Sequence, residues 1–159
     1  MKPINSKIDK KAVLRKAQSY CIYQERSKKE VLDKLYQWHV EPEDAESIIT
    51  QLITDDFINE KHFAIHYSSG KFRIKKWGKE KIKFELNKKG ITNDYINNAL
   101  SEIDEKEYLQ TLEEIITKKI KTIKDTDSYT IKAKIANYAI SKGFEFDFVW
   151  NILKNKDKI

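Results

Sequence analysis

Apolar residues recur every three or four positions along most of this chain, starting near residue 11. Positions with that spacing share one side of an α-helix, so the pattern predicts a series of amphipathic helices separated by short polar segments. Nine such stripes follow one another: Leu14–Cys21, Val31–Leu35, Ala45–Leu52, Phe63–Tyr67, Ile82–Leu86, Tyr95–Ile103, Tyr108–Ile120, Ile131–Ala139 and Phe148–Leu153. The pattern predicts about nine helices and an all-α fold.

Several polar residues are placed to begin these helices. Ser27 and Glu30 fit a capping box, in which the serine hydroxyl accepts from the backbone N–H of Glu30 and the glutamate accepts from that of Ser27. Pro42 suits the first turn of the third helix, where its missing N–H costs nothing. The other predicted starts are Asn59 or Asp56 for the fourth helix, Thr92 for the sixth and Asp104 for the seventh.

The four glycines predict where the chain turns. Gly70 and Gly78 are expected to break or redirect it on either side of a lysine-rich stretch. Gly90 is placed to close the fifth helix in a left-handed conformation, and Gly143 to end the eighth.

The chain contains an internal repeat of roughly 50 residues. Six apolar columns recur in three segments: Val31, Leu35, Val40, Ala45, Ile48 and Ile49; Ile82, Leu86, Ile91, Ile96, Ala99 and Leu100; Ile135, Ala139, Phe144, Val149, Ile152 and Leu153. His39, Gly90 and Gly143 share a helix C-terminal turn that favours glycine. Single three-helix units bury little area, so they are expected to stack into an elongated, curved rod. The predicted division is a polar tail at 1–10 and repeats at 11–54, 55–103 and 104–159.

Composition favours a folded protein, with 40% hydrophobic residues among 159. The single Cys21 cannot form an internal disulfide and is expected to be an inert core residue. No run approaches 18 apolar residues, and the first residues lack the apolar core of a signal peptide. We therefore expect a soluble, cytoplasmic protein without membrane contact.

Positive charge is concentrated in one stretch, residues 71–89. It holds nine basic and two acidic residues, a net charge of +7, while the whole chain carries +6. Such a local field attracts polyanions, although a solvated lysine-rich helix face is the alternative. The candidate contact residues are Lys71, Arg73, Lys75, Lys76, Lys79, Lys81, Lys83, Lys88 and Lys89. Weaker candidates in the first repeat are Arg26, Lys28 and Lys29, offset by Glu25 and Glu30, and the third repeat offers Lys132 and Lys134 there.

Other chemistry is poorly supported. Trp77 could stack on a base, but a tryptophan beside a glycine at a helix junction more often packs against the protein, and we favour that interpretation. His62 and His66 share a helix face without the further ligands that a metal site needs. Asp55 and Asp56 more plausibly end one repeat than serve a nuclease. No nucleotide-binding or nucleophile motif occurs, so we predict neither an enzyme nor a cofactor.

Three ordered segments resemble motifs of the RecX family of bacterial recombination regulators. They are Glu25-Arg26-Ser27 with Glu30, Leu32 and Leu35; Asp55–Glu60 followed by Phe63, Ala64 and Tyr67; and Trp77-Gly78-Lys79 through Ile82, Leu86 and Lys89-Gly90-Ile91. The resemblance covers about residues 10–100 by motif and the remainder by repeat pattern. His62 departs from the arginine that the family often has there.

The resemblance implies a partner, the RecA recombinase filament on single-stranded DNA. Family members lie in the filament groove and mostly damp strand exchange, ATP hydrolysis and co-protease activity, without cofactor or catalysis. The lysine-rich stretch is then expected to meet the filament, with this protein acting as a monomer. Two rivals remain: a helix-turn-helix-like protein that binds duplex DNA by itself, and a pure protein-interaction scaffold.

Overall fold

The chain folds into helices throughout the part that is described. A computed structural model describes residues 9–156 and contains nine helices and no strand in that range. The helices are α1 Lys10–Tyr23, α2 Lys28–Gln37, α3 Pro42–Thr54, α4 Glu60–Lys75, α5 Lys79–Lys88, α6 Asn93–Ser101, α7 Glu105–Ile120, α8 Ser128–Ser141 and α9 Phe146–Lys154. The predicted all-α class is confirmed. Most of the predicted polar tail lies outside the described residues, and the stacking into a rod stays a prediction.

Most predicted helix starts are formed as the local sequence requires. The Ser27 hydroxyl accepts from the N–H of Glu30 at 3.2 Å, and the Glu30 carboxylate accepts from the N–H of Ser27 at 3.0 Å, which completes the capping box. Asn59, rather than Asp56, caps α4, since its side-chain oxygen accepts from the N–H of His62 at 3.1 Å. Thr92 occupies the N-cap of α6 without a side-chain hydrogen bond.

The repeat columns form the core. Of the eighteen apolar positions that recur in the three segments, all are buried except Leu100 and Ile152, which are partly buried. The shared turn is also confirmed, because His39, Gly90 and Gly143 all have positive φ angles, of 62°, 78° and 99°. A left-handed residue there ends one helix and lets the chain reverse into the next.

The described residues form two compact units. The first contains the residues up to 63 together with 89–91, and the second contains 64–88 and the residues from 92 onward. The core of the first is built around Leu35, Ile48 and Leu52. The second buries aromatic residues as well as aliphatic ones, among them Phe72, Tyr108 and Phe144. The lysine-rich stretch up to Lys88 belongs to this second unit.

The prediction that Gly70 breaks the chain is wrong. Helix α4 continues through Gly70 to Lys75, and the left-handed residue that ends it is Lys76, with φ of 59°. A glycine inside a helix costs only about 1 kcal/mol relative to alanine, which the burial of Ala64 and Phe72 on the same helix outweighs. The lysine-rich stretch is therefore divided between the end of α4, a short connection and α5.

Gly78 does redirect the chain, and it does so inside a close contact. Its N–H donates to the Lys142 carbonyl at 2.8 Å, and the N–H of Glu80 donates to the Gly143 carbonyl at 2.9 Å. A Cβ atom added to Gly78 would lie 2.2 Å from the carbonyl carbon of Gly143. Glycine is thus required at this position by space, and the contact fixes where α5 begins within the second unit.

Tyr108 is fully buried beside this contact. Its hydroxyl accepts from the N–H of Lys79 at 2.9 Å and donates to the Glu145 carboxylate. Burial is the main cause that raises the pKa of Tyr108 above its usual value, with the Glu145 carboxylate adding to it. Aromatic rings surround it, with centroids 5.6 Å away for Phe72 and 5.1 Å for Phe144.

Cys21 is a buried core thiol, and we expect it to be chemically inert in the folded protein. Burial raises the pKa of its thiol to about 11. At pH 8 such a thiol is ionised in about one molecule in a thousand, against about one in four for a free cysteine, and only the thiolate reacts. Reaction with a disulfide reagent should therefore be more than about 100-fold slower in native than in urea-unfolded protein. Fast labelling of the native thiol would contradict this placement.

Candidate functional site

The basic residues of the lysine-rich stretch lie on three segments of the second unit, except for one residue that belongs to the first unit. Lys71, Arg73 and Lys75 lie on the last turns of α4, and Lys76 lies in the connection. Helix α5 carries Lys79, Lys81, Lys83 and Lys88. Lys89 belongs to the first unit.

Two of these residues, Lys71 and Lys81, form with two aromatic residues, Tyr67 and Trp77, what we call the Trp77 cluster. The half-buried indole of Trp77 packs edge-on against Tyr67, with ring centroids 6.5 Å apart. The ammonium groups of Lys71 and Lys81 lie 5.0 and 4.6 Å from the centre of its ring. Trp77 therefore packs within the protein, as we favoured from sequence. Cation–π contacts hold an ammonium group without neutralising its charge, so the cluster stays cationic.

Three other predicted cations share their charge with carboxylates. Arg73 pairs with Glu107 at 3.6 Å and Lys88 with Glu85 at 3.5 Å. In the first unit, Lys89 pairs with Glu30 at 3.6 Å. The Arg73 and Lys88 pairs are largely exposed, and such pairs are worth about 0–1 kcal/mol, whereas both partners of the Lys89–Glu30 pair are half-buried. These cations remain available to a stronger anionic partner but contribute less to the resting field.

The remaining residues of the stretch divide by exposure. Lys75 and Lys83 are exposed on α4 and α5. Lys79 is half-buried, and its ammonium group lies 4.9 Å from the centre of the Tyr108 ring. Lys75 and Lys83 are thus presented to solvent, while Lys79 is partly engaged by the core.

The weaker candidates of the first repeat are mostly engaged locally. The Arg26 guanidinium lies 3.8 Å from the centre of the Tyr20 ring and donates to the Tyr20 carbonyl at 3.2 Å. Lys29 pairs with Asp33 at 3.0 Å. The backbone N–H of Lys28 donates to the Glu60 carboxylate at 3.3 Å, while burial raises the pKa of Glu60. Arg26 and Lys29 therefore have identifiable roles in packing and pairing.

Sequence reasoning missed a second cationic group, which we call the Lys76 cleft. Its volume is about 330 Å³, and its cations are Lys76, Lys118, Lys119 and Lys142. The last three come from the ends of α7 and α8, more than 40 residues from Lys76, so no window of the sequence contains them together. The adjacent lysines Lys118 and Lys119 were the feature of the sequence that could have pointed to this cationic group. The predicted third-repeat candidates lie elsewhere: Lys134 pairs with Asp125 at 3.3 Å.

The candidates for other chemistry are separate from these groups. His62 and His66 are exposed on α4, Asp55 is the C-cap of α3, and Asp56 is left-handed at φ 62°. Across residues 9–156, no group of three or more His, Cys, Asp or Glu side chains could hold a metal ion. Within the same range, no helix combines the length and apolar character needed to cross a membrane.

All three helical repeats match family models. The models describe the first, second and third three-helix domains of RecX, and they match residues 14–52, 59–100 and 105–153. The chain belongs to the RecX family. The motifs quoted from the sequence had predicted this membership, and the matches confirm the predicted repeat architecture.

Curated relatives carry the same family name. The chain is 32% identical over 133 residues to Regulatory protein RecX of Clostridium acetobutylicum, covering 81% of this chain and 61% of the relative. It is 35% identical over 97 residues to Regulatory protein RecX of Lactobacillus johnsonii, covering 61% of this chain and 36% of the relative. The chain thus spans less than two thirds of the length of these relatives, which are regulatory proteins by name.

Solved RecX structures share the fold. The crystal structure of RecX from Lactobacillus salivarius matches with a TM-score of 0.86 and 28% identity, covering 95% of this chain and 98% of that one. A second, a crystal structure of regulatory protein RecX, matches with a TM-score of 0.84 and covers 92% of this chain and 73% of that one. At 20% identity, the second likeness concerns the fold alone.

Proposed function

We propose that this protein binds the RecA recombinase filament on single-stranded DNA and mostly inhibits strand exchange, ATP hydrolysis and co-protease activity. It does so as a cytoplasmic monomer without catalysis or cofactor. The observation that carries the proposal is the match of all three domains to the RecX family. The resemblance to this family is what implied RecA as the partner.

The charge distribution supports a polyanionic partner. The lysines of the Trp77 cluster are held by aromatic rings, so their charge is not offset by their neighbours. A filament on DNA presents phosphate and acidic protein surface, and binding to phosphate releases counterions. Electrostatic complementarity of this kind sets the association rate and the choice of partner more than the affinity itself.

Binding to three targets tests the proposal against its rival. Labelled single strands coated with RecA, naked single strands and naked duplex are titrated with the protein, and RecA ATPase is measured alongside. We expect the tightest binding to the coated strand, with falling ATPase as the coated strand saturates. Tight, sequence-selective binding to naked duplex, with ATPase unchanged, would instead support the helix-turn-helix alternative.

Reversing the charge of Lys75 and Lys76 together is expected to weaken binding to the coated strand by about tenfold or more. Four units of charge are changed at an exposed site, which converts attraction for phosphate into repulsion. The matched control is Lys106→Glu with Lys154→Glu, which makes the same change at two exposed lysines outside both cationic groups. Circular dichroism should show equal helicity for both variants. Equal affinity of the two variants for the coated strand would count against a contact through Lys75 and Lys76.

A further inference from the structure

The Lys76 cleft collects positive charge from parts of the chain that are distant in sequence. Its lining consists of Lys76, Ile115, Lys118, Lys119, Thr122, Tyr138 and Lys142. None of these lining residues, all within the described chain, is acidic. Four lysines therefore share one concavity with an aliphatic side chain, a hydroxyl and an aromatic ring.

Two of the four cations, Lys119 and Lys142, are held by groups that leave their charge in place. The ammonium groups of Lys119 and Lys142 lie 4.3 and 5.8 Å from the centre of the Tyr138 ring. That of Lys142 also donates to the Lys75 carbonyl at 3.3 Å, at the C-terminal end of α4. A ring face and a carbonyl are attractive to a cation but carry no full negative charge.

Like charges gathered around one concavity repel one another, and a bound anion removes that repulsion. A concave site lined with a single sign of charge also concentrates the field that attracts its ligand. We propose that the Lys76 cleft binds the sugar-phosphate backbone of a single nucleic-acid strand, an inference that rests on the proposed function. The inference names which component of the filament this part of the protein contacts.

The composition and shape of the cleft favour a single strand over other anionic partners. Lysine beside an exposed aromatic ring is the combination used by proteins that track single strands, and Tyr138 is 38% exposed. Ligand pockets have volumes of roughly 300–1,000 Å³. The volume of this cleft, about 330 Å³, is near the lower end of that range and suits about one nucleotide. Duplex is read by elements that protrude into a groove, whereas this site is a shallow, open depression.

Lys76 provides a test that separates binding from folding. Its φ of 59° is a left-handed conformation that glycine adopts without strain. Lys76→Gly should therefore raise the melting temperature by about 2–4 °C, while it lowers affinity for a naked single strand. A lysine with only a structural role would show no loss of affinity in this variant.

The binding experiment uses a fluorescein-labelled oligothymidylate, naked and RecA-coated, titrated with the 159-residue chain over a series of salt concentrations. Lys118→Gln with Lys119→Gln should lower affinity for the naked strand about tenfold. Each lost phosphate contact should also reduce the slope of log K against log salt by about 0.7. The matched control, Lys106→Gln with Lys154→Gln, removes the same charge at two exposed lysines outside the cleft and should leave the slope unchanged.

Three outcomes would overturn the inference. Unchanged affinity and slope in the cleft variant would do so directly. Loss of binding to the coated strand alone would assign the cleft to an acidic protein surface, and the proposed function would still stand. Displacement of the naked strand by low-millimolar inorganic phosphate would assign it to a free anion. If the wild type binds naked strands through the cleft but ignores RecA, the proposed function fails while this inference holds.

Discussion

Gly78→Ala is expected to destabilise the protein by about 3 kcal/mol or more. The added Cβ would lie 2.2 Å from the carbonyl carbon of Gly143 and 2.3 Å from the N atom of Phe144. Overpacking usually costs about 1–3 kcal/mol, and here the obstructing atoms are backbone, which cannot rotate away. Two backbone hydrogen bonds, from Gly78 to Lys142 and from Glu80 to Gly143, would also be stretched.

The same contact can be tested from its other side. Gly143 has φ of 99°, and a Cβ there would lie 2.4 Å from Cβ of Lys81. Gly143→Ala thus combines a clash with backbone strain, which adds about 1–2 kcal/mol. Urea unfolding followed by circular dichroism measures both variants.

Gly70→Ala is the matched control for this pair. It lies inside α4, and an added Cβ would meet nothing within 4 Å. Alanine is favoured over glycine in a helix by about 0.5–1 kcal/mol, so this variant should be more stable than the wild type. No loss of stability for Gly78→Ala would show that the contact between Gly78 and Gly143 is placed incorrectly, and a loss for Gly70→Ala would contradict the open space around Gly70.

Tyr108→Ala is expected to destabilise the second unit by about 3–5 kcal/mol, the range seen when a large buried aromatic residue is truncated. Tyr108 is fully buried and packs against Phe72 and Phe144. Its removal leaves a cavity lined by aromatic rings. It also leaves the Glu145 carboxylate and the N–H of Lys79 without their hydrogen-bond partner. Thermal and urea unfolding measure the loss.

Tyr108→Phe separates the hydroxyl from the ring. It keeps the ring packing but leaves two partly buried polar groups, the Lys79 N–H and the Glu145 carboxylate, without this partner, at a cost of about 1–3 kcal/mol. Tyr129→Phe, at a tyrosine that is 76% exposed, is the control and should change stability by less than about 0.5 kcal/mol. If Tyr108→Phe is equally neutral, the hydroxyl carries no structural role.

The pH dependence of the same variant gives an independent check. Since the folded pKa of Tyr108 is raised, the folded protein keeps a proton that the unfolded chain loses above about pH 10. The stability that the hydroxyl contributes is therefore present below pH 10 and falls as the pH rises above it. The difference in unfolding free energy between wild type and Tyr108→Phe should narrow between pH 9 and 11.

Helix existence and helix ends were predictable because they depend on neighbours in the chain. The capping box joins Ser27 to Glu30, three positions later. Each of the left-handed turns, at His39, at Gly90 and at Gly143, likewise depends on residues a few positions away in the chain. The apolar columns recur because each three-helix unit buries the same face. The prediction for Gly70 was wrong for a related reason: its local preference was outweighed by the burial of Ala64 and Phe72, which lie before and after it on α4.

By itself, the sequence determined the helical repeat, the family and the excess of lysine between residues 71 and 89, since each is a property of order along the chain. Only the tertiary structure decided which cations act together. It separated Lys89 into the first unit, held Lys71 and Lys81 over Trp77, and brought Lys118, Lys119 and Lys142 to Lys76. The physical reason is that an electrostatic field depends on distance in space, and folding joins residues whose separation along the chain gives no sign of it.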